Sequence, residues 1–168
     1  RDDIDEVEVC VHNNLHTSVA TAVMAAGFDC YSEKPMAASY ADAKILYDAQ
    51  KKYGKKLAVQ ISSIYNPQTR IAKKMIEEGK LGKIYHARSV GHRRQGRPGY
   101  DMPFFSPDFI NPKVGVHGPL FDLGIYHLAQ MLYVLGMPEL ESVYGMQSCD
   151  YWTDKRIDKI TNRTAPVE

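Results

Sequence analysis

No apolar run in the 168 residues approaches the roughly 18 residues of a membrane span, so the sequence offers no transmembrane helix. Neither sign of charge is in excess: 21 Lys and Arg stand against 20 Asp and Glu, a net charge of +1. That balance excludes a dedicated nucleic-acid or membrane-surface binder, which would carry a basic excess. Cysteine is scarce, and Cys10, Cys30 and Cys149 have no metal or redox spacing. Cys10 and Cys30 fall in apolar strands and are expected to be buried, reduced thiols. An odd count without a leader segment points to a reducing, cytoplasmic compartment. His12, His86, His117 and Asp101 lack helical metal-binding spacing, so no metal site is expected. Internal repeats and low-complexity tracts are absent. So is any G-x-G-x-x-G turn of the kind that holds a pyrophosphate.

What is present is an orderly alternation. Val7 to Val11, Phe28 to Tyr31 and Leu57 to Ile61 read as strands rich in β-branched and apolar residues. His16 to Gly27 reads as a helix burying Val19, Ala22, Val23 and Ala26. A second helix runs to Tyr53, opened by Ser39 and Asp42 in a capping-box spacing and closed by Gly54, with Ile45, Leu46, Ala49 and Tyr53 inward. The order β-α-β-α-β predicts a parallel sheet with right-handed crossovers. Ligands of such sheets bind outside the carboxyl ends of the strands. Those ends carry His12-Asn13-Asn14-Leu15-His16, Glu33-Lys34-Pro35 and Ser62-Ser63. One edge therefore gathers a lysine, a glutamate, two asparagines and two histidines.

The pattern changes near Asn66-Pro67, which divides the chain into 1–64 and 65–168. Pro67 to Glu78 predicts a helix stopped by Gly79, and Lys83 to Arg93 a strand. Arg94 to Gly118 is rich in Gly and Pro and is expected to be irregular. Phe121 to Leu135 is a strongly apolar helix ended by Gly136, followed by a strand from Leu140 to Gln147. This second piece is α+β. Asp122 and Tyr126, four apart, are expected to stack on one helix face, with His127 rotated by about 100°. The basic cluster His92 to Gly99 reads first as a solvated loop and second as an anion clamp or subunit contact.

Several motifs, in this order and spacing, resemble one known family. They are Asn14-Leu15-His16, Glu33-Lys34-Pro35, Tyr65-Asn66-Pro67, Glu78-Gly79-Lys80-Leu81-Gly82 and Asp122-Leu123-Gly124-Ile125-Tyr126. Together they resemble the glucose–fructose oxidoreductase and inositol dehydrogenase (Gfo/Idh/MocA) family of nicotinamide-dependent sugar oxidoreductases. The resemblance spans residues 4 to about 150. It implies the second half of a Rossmann-type parallel sheet, followed by an α+β domain with an open, largely antiparallel sheet. Family members are roughly twice this length and begin with a Gly-rich turn, so the chain is expected to be part of a longer polypeptide. Its polar ends, Arg1-Asp2-Asp3 and Thr161 to Glu168, agree with that. Asn13 stands where the family has proline, Ile64 where it often has arginine, and Val116-His117-Gly118 where it has a glycine run.

The resemblance implies hydride transfer between NAD or NADP and a sugar, cyclitol or related polyol. Lys34 would manage the proton of the substrate hydroxyl, and Pro35 would follow a cis peptide bond that turns the lysine toward the cofactor. Asn13, Asn14, His16, Glu33, Lys34 and Pro35 would form the cofactor side. Asp122 would fix the sugar or tune Lys34. Tyr126 and His127 remain equal candidates as its partner: Tyr126 holds the matching position, and histidine is the better acid–base group near neutral pH. A homo-oligomer formed through the second-domain sheet is implied, with no nucleic-acid or membrane partner. Two other readings remain open: a non-catalytic sugar- or cofactor-binding or scaffold member, and a glycosidase that uses held NAD as a transient oxidant.

Overall fold

The computed structural model describes residues 3–92, 106, 108, 111, 113–116, 118 and 120–146. Most of the basic cluster (Arg93 to Gly99), together with Asp101, His117, Cys149 and the segment from 147 onward, lies outside the described residues.

Three parallel strands form one sheet in the order β1-β2-β3: β1 (Glu6–Val9), β2 (Asp29–Ser32) and β3 (Leu57–Val59). Glu6 pairs with Asp29 and Cys30 with Leu57, so the carboxyl ends lie along one edge. The crossovers are helices α1 (His16–Ala25) and α2 (Tyr40–Tyr53). Local chemistry sets the ends of α2. Ser39 Oγ accepts the Asp42 N–H at 3.1 Å, and its hydroxyl donates to the Asp42 carboxylate at 2.7 Å. Gly54 then takes the left-handed conformation, φ +62°, and its N–H returns to the Gln50 carbonyl.

Val9, Ala20, Met24, Cys30, Ala37, Leu46 and Ala49 make the core between the sheet and the two helices. The buried stripe of α1 is His16, Ala20 and Met24, at i, i+4 and i+8. Ala22 and Ala26 of the expected face point to solvent, while Val19 and Val23 flank the core. In α2, Leu46 and Ala49 are buried as expected, but Ile45 is half exposed. A helix seated against both a sheet and a second helix buries an arc, and periodicity alone does not fix its centre. Cys30 is buried, whereas Cys10 is exposed. The ladder stops at Val9, so Cys10 lies beyond the strand that was expected to cover it.

After β3, a 3-10 turn (Ser62–Tyr65) leads into α3 (Pro67–Glu77). The expected single helix Phe121–Leu135 is a π-helical turn, Leu120–Gly124, running into α4 (Ile125–Val134). α4 packs on α3 and on the Ser62–Tyr65 turn. The strands expected over Lys83 to Arg93 and Leu140 to Gln147 form no ladder among the described residues, which end at 92 and 146 in these segments. A strand needs a partner strand for its N–H and C=O groups, and no described strand pairs with either segment.

Candidate active site

A cleft of about 270 Å³ opens at the carboxyl edge of the sheet, lined by Cys10, Val11, Asn13, His16, Glu33, Lys34 and Asp122. Strand alternation brings the chain there and a turn aims it. The Lys34–Pro35 peptide bond is cis, and the Glu33 carboxylate accepts the Lys34 main-chain N–H at 3.1 Å. The Glu33 N–H in turn donates to the Val9 carbonyl at 3.0 Å, so the turn hangs from β1.

Lys34 Nζ is the hub of the site. It donates to Asp122 Oδ1 at 2.6 Å and to the Asp122 carbonyl at 2.7 Å, with side-chain exposures of only 14% and 23% for the pair. Charge-assisted bonds at such distances, half withdrawn from water, hold a lysine far more firmly than a surface ion pair does. Asp122 sits in the π-helical turn, where the widened i→i+5 pattern loosens the usual α-helical hydrogen bonding. That local irregularity accounts for a helical carbonyl available to a side-chain ammonium. The Tyr126 ring lies under the same ammonium, 5.1 Å from its centroid.

His127 is elsewhere. Its Nδ1 is 2.7 Å from Ser89 Oγ, and Gly91 packs so closely on the ring that a Cβ there would come within 2.5 Å of Nε2. The geometry thus joins Lys34, Asp122 and Tyr126 and turns His127 toward the 83–92 segment.

The expected cofactor side divides in the same way. Glu33 and Lys34 face the cleft. Asn13 spends its side-chain N–H on the Gly115 carbonyl at 2.9 Å, and the Asn14 main-chain N–H reaches the Val114 carbonyl at 3.3 Å. Both asparagines therefore strap the 113–116 turn to the end of β1. His12 stands 3.6 Å from the Asp108 carboxylate in the same strap. His16 is fully buried with both ring nitrogens on main-chain carbonyls, so it forms the floor of the cleft and offers no free polar atom to a cofactor. Ser63, noted in sequence only as part of a polar strand end, donates to the Tyr126 carbonyl at 3.0 Å. Gln130 donates to Thr69, whose hydroxyl donates to the Ser63 carbonyl, so α3, α4 and the end of β3 are tied together. Ser89 carried no sequence signal at all. No group of three metal-binding side chains comes together among the described residues.

Comparison with known proteins agrees with this geometry. Residues 1–61 match a family described as an oxidoreductase family with an NAD-binding Rossmann fold. Residues 69–162 match the GFO/IDH/MocA C-terminal domain. The chain belongs to the Gfo/Idh/MocA oxidoreductase family. Among Gfo/Idh/MocA relatives, D-glucoside 3-dehydrogenase of Escherichia coli is 33% identical over 139 residues, 83% of this chain and 38% of that protein. Inositol 2-dehydrogenase/D-chiro-inositol 3-dehydrogenase of Lactiplantibacillus plantarum is 36% identical over 80 residues, 46% of this chain and 23% of that protein. The crystal structure of aldose-aldose oxidoreductase from Caulobacter crescentus, complexed with glycerol, superposes with TM-score 0.63 at 30% identity. The match covers 80% of this chain and 38% of that one. The chain thus spans well under half the length of these relatives.

Proposed function

We propose that the polypeptide carrying this chain is an NAD(P)-dependent oxidoreductase that moves hydride between nicotinamide and a carbinol carbon of a sugar, cyclitol or related polyol. One observation carries the reading. A half-buried lysine, fixed by a carboxylate and resting over a tyrosine ring, stands in a cleft at the carboxyl edge of a parallel sheet. The relatives named as glucoside, inositol and aldose oxidoreductases favour a polyol over other alcohols.

The residues present suit the cofactor's reactive end. Val11 and Cys10 supply an apolar wall for a flat ring, and the carboxylates of Glu33 and Asp122 oppose a ring that is cationic when oxidised. Bound there, NAD or NADP supplies a hydride acceptor or donor at nicotinamide C4. This chain's own part is the proton. Lys34 holds the substrate hydroxyl: as the neutral amine it takes the hydroxyl proton during oxidation, and the ammonium so formed returns it during reduction. Asp122 keeps the ammonium aimed, and Tyr126 closes the other side of it. In this reading the pyrophosphate-holding turn would come from sequence not in this chain, its strand pairing at the edge of β1 that no described strand occupies.

The same reading takes residues 1–64 and 65–168 as two units, the second completed by an open sheet through which a homo-oligomer forms. It also places the protein in the cytoplasm, without a nucleic-acid partner. No helix among the described residues is long and apolar enough to cross a membrane.

The test is turnover of a panel of pyranosides and inositols by the full-length polypeptide, followed by nicotinamide absorbance. Lys34→Ala should lower kcat by about 10²- to 10⁴-fold while leaving cofactor binding unchanged. A wild-type protein that binds the cofactor and oxidises no member of the panel points to a sensor or scaffold. Glycoside hydrolysis without net NADH points to the glycosidase chemistry.

A further inference from the structure

His16 is the first residue of α1 and exposes none of its surface. Its Nε2 lies 3.0 Å from the carbonyl of Val11, just past β1, and its Nδ1 lies 2.6 Å from the carbonyl of Pro35. A fully buried ring bridging two main-chain carbonyls joins two segments that no strand ladder joins, because the β1–β2 pairing ends at Val9 and Ser32. Carbonyls only accept, so a neutral ring can donate to one of them and not both. The shorter contact is the one to Pro35.

Pro35 follows Lys34 directly, so its carbonyl is the first main-chain anchor after the lysine. The other anchors lie on the near side of Lys34 or at its tip: the Glu33 carboxylate on its N–H and Asp122 on its ammonium. Without the Pro35 anchor the next hold after the lysine would be the packing of Met36 and Ala37 on the core, one and two residues further on, with no hydrogen bond fixing the turn itself on that side.

We infer that His16 is a positioning residue for Lys34, acting through its Nδ1 bond to the Pro35 carbonyl and not through contact with cofactor or substrate. With Nδ1–H donating to Pro35, that bond sets where the lysine points, and Nε2 only packs against the Val11 carbonyl. An error of about 1 Å in a reacting group can cost on the order of 100-fold in rate, so the position of this turn bears on turnover. The consequence for rate rests on Lys34 being the proton-handling group; the geometric claim does not.

Two substitutions separate the two nitrogens. The amide nitrogen of His16→Asn falls near the Nδ1 position and can keep the Pro35 bond. That of His16→Gln reaches the Nε2 position, facing the Val11 carbonyl, and loses the Pro35 bond. The readout is acetylation of Lys34 by acetic anhydride in the intact protein, followed by mass spectrometry. Lys44, paired with Asp48 on the exposed side of α2, serves as an internal control. His16→Asn should label Lys34 at close to the wild-type rate. His16→Gln should label it several-fold faster, with Lys44 unchanged in both. Turnover in the same samples should follow, with kcat falling about tenfold or more in His16→Gln alone and KM staying put.

Equal labelling of Lys34 in the two variants overturns the proposal, as does loss of folding in both, which would make the ring a structural support only. If labelling divides as expected while even the wild type turns over no polyol, the positioning claim stands and the oxidoreductase reading fails.

Discussion

The stretch from Glu6 to Thr69 and the stretch from Arg70 to Met146 differ in how far each covers its own apolar surface. All the fully buried residues among those described lie in the first, from Val9 to Thr69. In the second none is fully buried, although every residue of α4 except His127 and Gln130 is apolar. The more polar α2 nevertheless buries Leu46 and Ala49. Apolarity does not decide burial here; layering does. α1 and α2 share a core with the sheet, whereas α4 rests on α3 and a 3-10 turn. Met137, Leu140, Val143, Tyr144 and Met146, just beyond α4, stand in solvent.

The sharpest way to break this comparison is a pair of leucine truncations. Leu46→Ala, at a fully buried position, should cost about 2–5 kcal/mol, because transfer energy and a cavity are lost together. Leu128→Ala, on α4 and 41% exposed, should stay within about 0.5 kcal/mol. Urea denaturation midpoints at unchanged slope measure both. Equal losses would mean that α4 is covered in solution by something beyond the described residues, and the contrast between the regions would collapse.

What could be read in advance follows the same divide. The sheet order, both crossover helices, the Ser39 cap and the Gly54 stop were legible because each rests on local chemistry: periodicity, a capping oxygen and a glycine where φ must be positive. The Lys34–Asp122 pair was half legible. The motif resemblance put both residues in the site, but their contact spans 88 positions and depends on a π-helical turn that no helical periodicity signals. The matching position favoured Tyr126 and acid–base character favoured His127, and the Ser89 and Gly91 contacts that hold the His127 ring come from a segment read only as an alternating strand. The asparagines lie at the expected edge, but their hold on the Gly115 and Val114 carbonyls, which come from a distant turn, had no signal in the sequence. The strands expected beyond residue 80 have no ladder among the described residues, and the sequence could not say whether they would. A strand is defined by its neighbour, and alternation in one segment says nothing about whether a neighbour is present.

A second contrast lies in how each region handles left-handed backbone. In the first, φ +62° falls to Gly54, which adopts it freely. In the second, Gly79, Gly82, Gly118 and Gly136 adopt positive φ as well, but φ +68° falls to Val116, a β-branched residue. Gly54→Ala should therefore destabilise by about 1 kcal/mol. Val116→Gly should do the opposite and raise stability by up to about 1 kcal/mol, after the added freedom of glycine in the unfolded chain offsets part of the relieved strain. Thermal unfolding of the two single variants is sufficient. A loss at Val116→Gly would show that the valine side chain contributes packing worth more than the strain it carries.

The smallest effect concerns the open edge of the first region, where its closure gives way to the cleft. Cys30 and Cys10 are twenty positions apart, one in the core and one on the cleft wall. Burial raises the Cys30 thiol, with Glu6 adding to it, so alkylation by iodoacetamide should await unfolding. The Cys10 thiol is also raised: first by the protein that crowds it, then by Glu8 through charge and a hydrogen bond, and last by Glu33. Its residue is exposed, so crowding leaves the sulfur reachable and the carboxylates are the causes a substitution can remove. The sign follows directly. A raised thiol holds less thiolate at pH 8 than an unperturbed one, and thiolate is the nucleophile, so the alkylation profile of Cys10 should lie at higher pH than that of a free cysteine. Glu8→Gln should draw the profile back toward lower pH, and Glu33→Gln should do so by less. If Glu33→Gln moved it more, the Glu33 carboxylate would lie nearer the sulfur in solution, having let go of the Lys34 N–H, and the turn that aims the lysine would be looser than the core behind it.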